Sequence, residues 1–213
     1  MKQHDKFLND QFKAGTHLPL IDRFYTLQGE GAFAGEAAYF IRVGGCDIGC
    51  HWCDEKISWN PAQHKSVSID KIIENLKNLK GKTLVVTGGE PSLYNLSVLT
   101  KKAHNIGFNT HVETSGAYTL TGKWDWVCLS PKPQSMPLIE NFEKASELKV
   151  IIFNKEDIAW AEECSNKVSK NCKLFLQPEW SRHEENTGLI VDYIKENPKW
   201  RISIQSHKFM KIP

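Results

Sequence analysis

Cys46, Cys50 and Cys53 fall within one run, Gly44-Gly45-Cys46-Asp47-Ile48-Gly49-Cys50-His51-Trp52-Cys53. Whatever this chain folds into must present that run as a single loop gathering three thiolates round one body. Three is an unusual ligand count. A structural zinc takes four protein ligands, and an electron-transfer iron–sulfur cluster is also held by four. Three thiolates on a 4Fe–4S cluster leave one iron open to a small molecule. A zinc staple completed by His51 or a distant ligand is the bland alternative, yet a chain of 213 residues has enough core to fold without metal. Gly44, Gly45 and Gly49 suit such a loop, because they let the backbone approach a bulky group and adopt positive φ.

A disulfide reading is weaker. The opening Met1-Lys2-Gln3-His4-Asp5-Lys6 is polar and has no apolar core of a signal peptide. No stretch approaches the ~18 apolar residues of a membrane span. The expected setting is cytoplasmic, where clustered thiols serve metals or catalysis. Cys128, Cys164 and Cys172 are scattered; an auxiliary cluster is one use for them, and burial as inert thiols is the expected one. A net charge of +2, with 24% charged and 40% hydrophobic residues, gives no reason to expect nucleic acid or anionic membrane as a partner. No repeat or low-complexity linker is visible, so one domain over residues 1–213 is expected, with residues 1–19 as an N-terminal extension.

Apolar periodicity alternates along the chain. Residues 39–43, 84–87, 109–113, 126–129, 148–152 and 173–177 read as strands. Ile69, Ile72, Ile73, Leu76 and Leu79 recur at helical spacing, with Ser68 as N-cap and Gly81 beyond the end. Further helices are expected over 96–105, 156–167 and up to Glu196. Strands alternating with helices imply parallel pairing through crossovers. About six mainly parallel strands are too few for a closed eight-stranded barrel, so the expected fold is an α/β partial, open barrel. Ligands gather at the carboxyl ends of strands in such folds. The cysteine loop, Gly88-Gly89-Glu90, Glu113-Thr114-Ser115-Gly116, Ser130-Pro131-Lys132-Pro133 and Gln177-Pro178-Glu179-Trp180 all follow strands, and would open onto one face.

The cysteine spacing, the aromatic Trp52 before the third cysteine and the downstream Thr87-Gly88-Gly89-Glu90-Pro91 together resemble the radical S-adenosylmethionine superfamily. A narrower resemblance covers residues 26 to 208. Thr26-Leu27-Gln28-Gly29-Glu30-Gly31, Phe40-Ile41-Arg42, Cys50-His51-Trp52-Cys53-Asp54, Glu113-Thr114-Ser115-Gly116, Ser130-Pro131-Lys132-Pro133 and Gln205-Ser206-His207-Lys208 are similar, in order, to the 7-carboxy-7-deazaguanine synthase family. Each block alone is modest; the ordered set is specific. The resemblance implies a compact lyase, usually a homodimer. It would convert 6-carboxy-5,6,7,8-tetrahydropterin to 7-carboxy-7-deazaguanine with loss of ammonia, on the route to queuosine and other 7-deazapurines. It implies a 4Fe–4S cluster, S-adenosylmethionine, Mg2+ and a flavodoxin-like electron donor. Radical abstraction of hydrogen from carbon 6 of the pterin would start the ring contraction, and the cofactor would be re-formed.

Carried over by position, the resemblance places the cluster on Cys46, Cys50 and Cys53. It assigns S-adenosylmethionine to Trp52, Cys53, Asp54, Gly89, Glu90, Gly116, Ser130, Pro131, Lys132, Gln177, Pro178, Glu179 and Trp180. Glu90 would meet the methionine ammonium, and Trp52 would lie near the adenine, unless it is plain core packing. Substrate falls to Leu27, Gln28, Gly29, Glu30, Arg42, Thr114, His207 and Pro213. Arg42 can grip two carboxylate oxygens at once, or else makes a surface salt bridge at a strand end. The terminal carboxylate of Pro213 would reach the pterin's amino edge, with a frayed terminus as the equal alternative. One departure stands out: after Cys53-Asp54 the family commonly has threonine or serine, a magnesium ligand, and this chain has Glu55. Glu55 could ligate the ion with longer reach, shift it, or remove the need for it. The alternatives of another class are a glycyl-radical-activating enzyme, which shares the cysteine motif, and a non-catalytic metal-binding module.

Overall fold

The computed structural model describes residues 8–213. In chain order the elements are α1 (Asp10–Lys13), β1 (His17–Leu27), β2 (Ala37–Val43), β3 (Lys65–Ser68), α2 (Ile69–Leu76), β4 (Thr83–Gly88), α3 (Ser97–Asn105) and β5 (Asn109–Thr114). Then follow β6 (Trp126–Leu129), α4 (Ile139–Lys144), β7 (Glu147–Ile152), α5 (Asp157–Ser165), β8 (Lys173–Pro178), α6 (His183–Glu196), β9 (Trp200–Ile202) and α7 (Ser206–Met210). One sheet runs β3-β1-β2-β4-β5-β6-β7-β8-β9. From β2 onward in that order every pairing is parallel, and only β1 pairs antiparallel, with β2 on one side and β3 on the other. The two ends of the order do not meet, so the barrel is open.

All six expected strands are present, and three more join them. β1 escapes a periodicity search because a bulge between Leu20 and Asp22 switches which side chains face inward halfway along it. β3 buries no residue and β9 has three, so neither carries an apolar pattern. α2 ends at Leu76 rather than 79, closing with a tight turn from Leu79 N to the Leu76 carbonyl at 3.1 Å. Ser68 caps it as expected, accepting from Lys71 N. Of the N-terminal extension, residues 1–7 lie outside the described residues. Its remainder has a structural use: Phe12 of α1 packs edge-on against Tyr94 at 5.7 Å, and the Tyr94 hydroxyl donates to the Gly44 carbonyl at 2.5 Å.

Each central strand has two faces. Ile41 and Val43 on β2, Leu84 and Val86 on β4, and Val112 on β5 join one core beneath α2 and α3. Leu148, Val150 and Ile152 on β7 and Leu176 on β8 join a second core with Ala161 and Cys164 of α5 and Ile190 of α6. Each such Val, Leu or Ile side chain, fully buried, contributes about 1.5–3 kcal/mol. The intervening residues, among them Arg42, Thr87, Glu113, Lys149 and Gln177, point to the opposite, concave side. Cys164 and Cys172 pack in the second core, and Cys128 is buried on β6. No helix among the described residues is long and apolar enough to cross a membrane.

Glu162 on α5 knots the second core to the C-terminal elements. It accepts from the Tyr193 hydroxyl and the Trp200 indole, each at 2.7 Å, and from Lys199 Nζ at 2.6 Å. Burial alone would raise its pKa, but these donors and the Lys199 charge bring it down to about 2. A depressed carboxylate adds stability that is complete above its unfolded pKa and lost as pH falls through its folded one. Glu162→Gln is therefore expected to lower Tm at neutral pH, with the gap to wild type closing between pH 4.5 and about 2. Thermal unfolding by circular dichroism across that window checks it.

Candidate active site

The loop after β2 is sewn to the end of β4. Gly89 N donates to the Val43 carbonyl at 2.7 Å and Glu90 N to the Gly45 carbonyl at 2.8 Å, extending the parallel β2–β4 pairing by one step on each side. Gly88 has φ +114, and a Cβ there would stand 2.5 Å from Val43 N; one on Gly89 would collide with the Gly45 backbone. Glycine is required at both positions because backbone meets backbone. Gly45 N also donates to the Ser58 carbonyl at 2.5 Å, drawing the far end of the cysteine loop back onto itself.

Held this way, all three cysteines line one cavity of about 260 Å³ at the carboxyl ends of the strands. The thiols are free; Cys50 is buried, and Gln134 Nε2 lies 3.1 Å from its sulfur. Burial pushes the Cys46 thiol up to about 12 and raises Cys50 as well. Among the described residues no three carboxylates, imidazoles or thiols converge closely enough to hold one ion. The three sulfurs instead border a shared space, which suits ligands to separate irons of a cluster. Lys132 beside them donates to the Ser130 carbonyl at 2.5 Å and its hydroxyl at 2.8 Å, with its ammonium 5.7 Å from the Trp52 ring centre.

Glu90, 1% exposed, ties the ends of β4 and β5 together. Its Oε1 accepts from Ser92 N, the Ser92 hydroxyl and the Thr114 hydroxyl, and its Oε2 from Ser115 N at 2.8 Å. The opposite wall holds Trp180, stacked on His183 at 4.5 Å and edged by Phe209 at 5.3 Å. Glu179 folds back on Ser181, and Gln177 accepts from the Ser203 hydroxyl at 2.7 Å.

The same cavity holds a buried charged group. Lys149 Nζ donates to Glu30 Oε2 and lies 3.3 Å from Glu113 Oε2. Gln28 Nε2 donates to Glu113 Oε1 at 3.0 Å, and Gln205 Nε2 to Glu30 Oε1 at 3.0 Å. Burial alone would raise the Glu30 pKa, but the Lys149 charge and these hydrogen bonds bring it down to about 2. Burial would lower Lys149, and the neighbouring Glu113 and Glu30 carboxylates outweigh it, so both partners stay ionised. α7 packs beside this group: Ser206 N and Oγ both donate to the Gly29 carbonyl, and His207 sits where a side chain at position 29 would have to be. Lys208 bridges from α7 to Asp54 at 2.8 Å. Burial lowers the His207 pKa.

Of the residues singled out in the sequence, all line this cavity except Gly116 and Pro131. Gly116 stands behind the wall, its carbonyl accepting from Asn141 Nδ2 at 2.8 Å and its N–H donating to the Thr114 hydroxyl. Arg42 and Glu55, assigned to different partners from the sequence, are paired with each other. Lys149, Glu113, Gln205, Phe24 and Phe40 also line the cavity and were not assigned a role. The available signal for Lys149 was a charge at an alternating position inside the otherwise apolar run Leu148 to Ile152.

The Radical SAM superfamily profile matches residues 40–127. A 7-carboxy-7-deazaguanine synthase of Flavobacterium psychrophilum is 56% identical over 93% of this chain and 94% of its own length. One from Synechocystis is 43% identical over 91% and 93%. The crystal structure of QueE from Escherichia coli superposes with a TM-score of 0.81 at 28% identity, covering 97% of this chain and 99% of that one.

Proposed function

This chain belongs to the 7-carboxy-7-deazaguanine synthase family of radical S-adenosylmethionine enzymes, and we propose that it makes 7-carboxy-7-deazaguanine by contracting the ring of 6-carboxy-5,6,7,8-tetrahydropterin, with loss of ammonia. The carrying observation is one cavity lined by three free thiols and also by an arginine and a rack of charged and amide groups. Held by Cys46, Cys50 and Cys53, a 4Fe–4S cluster bearing S-adenosylmethionine would supply one-electron radical chemistry to that cavity.

The chain's own residues then divide the work. Arg42 takes the pterin carboxylate. Gln28, Glu30 and Glu113 accept from the pterin's N–H edge, and Lys149, itself shielded from solvent, is the counter-charge to both carboxylates. Leu27, Gly29 and Thr114 complete that wall, and His207 and Pro213 close it. Trp52, Ser130, Lys132, Gln177, Pro178, Glu179 and Trp180 line the cofactor end, with Asp54 and Gly89 at its loops. Gly116 and Pro131 shape that end from behind. Among the described residues Glu90 Oε2 accepts one hydrogen bond, from Ser115 N, and so retains capacity for an ammonium.

Magnesium beside the substrate carboxylate belongs to the same proposal. Its oxygen donors would be Glu55 and the substrate itself, since an ion of this kind uses one or two carboxylates and completes its shell with water and substrate. A flavodoxin-like donor, a homodimer and a cytoplasmic setting complete the reading, and the chain is read as one domain. Neither a glycyl-radical-activating role nor a non-catalytic metal module gains an observation in its favour.

The test is anaerobic: reconstituted enzyme, reductant, S-adenosylmethionine, magnesium and 6-carboxytetrahydropterin, with products followed by mass spectrometry. Many turnovers of 7-carboxy-7-deazaguanine with little net loss of S-adenosylmethionine are expected. Accumulation of 5′-deoxyadenosine without the deazaguanine would overturn the substrate. Leaving out magnesium is expected to slow turnover, and an unchanged rate would remove the ion from the mechanism.

A further inference from the structure

Arg42 leaves the carboxyl end of β2 with its guanidinium 5.4 Å from the Phe24 ring centre. Its Nε lies 3.7 Å from Asp22 and its Nη1 2.5 Å from Glu55 Oε2. The side chains of Arg42 and Glu55 are 29% and 27% exposed, and both line the cavity. A carboxylate of the chain itself thus occupies the cation assigned to the substrate's carboxylate. We propose that Glu55 is an internal occupant of the substrate-carboxylate site, which the substrate must displace to reach Arg42.

This inference rests on the substrate reading above and adds a residue that sets affinity and specificity. Binding becomes an exchange of one carboxylate for another at the same guanidinium. An anion that offers only a carboxylate gains little from the exchange, because it replaces a bond of equal kind. A pterin carboxylate gains the contacts of Gln28, Glu30 and Glu113 in addition, and so wins. The product keeps the carboxylate. Glu55 therefore competes for Arg42 after the reaction too, and hastens release. Asp22 remains beside the guanidinium throughout, so Arg42 is never left without a counter-charge.

Glu55→Gln tests this, with wild type and variant both reconstituted anaerobically and loaded with S-adenosylmethionine. Divalent cations are left out, so that Glu55 is read only through its hold on Arg42. The probes are 6-carboxypterin and 6-methylpterin, whose fluorescence reports binding. The variant is expected to bind 6-carboxypterin about tenfold more tightly, by loss of a charge-assisted competitor, and 6-methylpterin with unchanged affinity. Equal or weaker binding of 6-carboxypterin by the variant overturns the proposal. So does a parallel change for both probes, which would mark Glu55 as structural. If neither protein binds 6-carboxypterin while both bind S-adenosylmethionine, the substrate reading itself falls, and this inference with it.

Discussion

Cys50→Ala is expected to give a folded protein with no turnover and no bound iron–sulfur cluster. Cys50 is the middle ligand of a loop that offers only three thiols, so the loop holds no spare thiol to replace it. The loop itself is held independently of the thiol, through the Gly45 and Gly89 backbone hydrogen bonds and the Tyr94 hydroxyl on the Gly44 carbonyl. Loss of the cluster should therefore leave secondary structure intact. Iron and sulfide analysis, visible absorption and mass spectrometry for 5′-deoxyadenosine measure the loss, and circular dichroism measures the fold. Cys164→Ala is the control. Its thiol lies in the second core, against helix and strand side chains rather than the cavity. It should keep the full complement of iron. A Cys50→Ala protein that retains cluster and activity would refute the ligand assignment.

Lys149→Met is expected to cost about 3–5 kcal/mol of stability, because it strands buried carboxylates without their counter-charge. The Lys149 side chain is 4% exposed, and those of Glu30 and Glu113 are 13% and 21% exposed. Glu147 is buried nearby, and burial already raises its pKa. Removing the Lys149 ammonium therefore leaves Glu30 and Glu113 facing the cavity without their counter-charge. Urea denaturation at neutral pH measures the loss. Adding Glu30→Gln to Lys149→Met should recover part of it, since one of the stranded charges is then gone. A single variant as stable as wild type would show that Lys149 is not the counter-charge these carboxylates depend on.

Much of the fold was legible because its signals are local. Six of the seven strands of the parallel array show in a short window, most of them as runs of Val, Ile and Leu, and α2 shows its buried stripe and its Ser68 cap directly. β1 was not legible, because the bulge at Leu20–Asp22 splits its pattern into two halves of opposite phase. The candidate site divides in the same way. The cysteine loop and Gly88-Gly89 are runs in the chain, and their glycines announce close backbone approach.

What the sequence determined alone is the inventory and its order: three thiols in one loop, glycines where the backbone must pass closely, and motif blocks each following a strand. Only the tertiary structure decided which side chains answer one another. Glu30 meets Lys149 because β7 stands across the concave face from the end of β1, and Gln205 joins them from the connection to α7. Arg42 is taken by Glu55 rather than left open, because the cysteine loop returns its exit past the end of β2. Charge pairs of this kind depend on strand order and on which face each residue presents. A local pattern records a residue's own burial, and not the identity of what it is buried against.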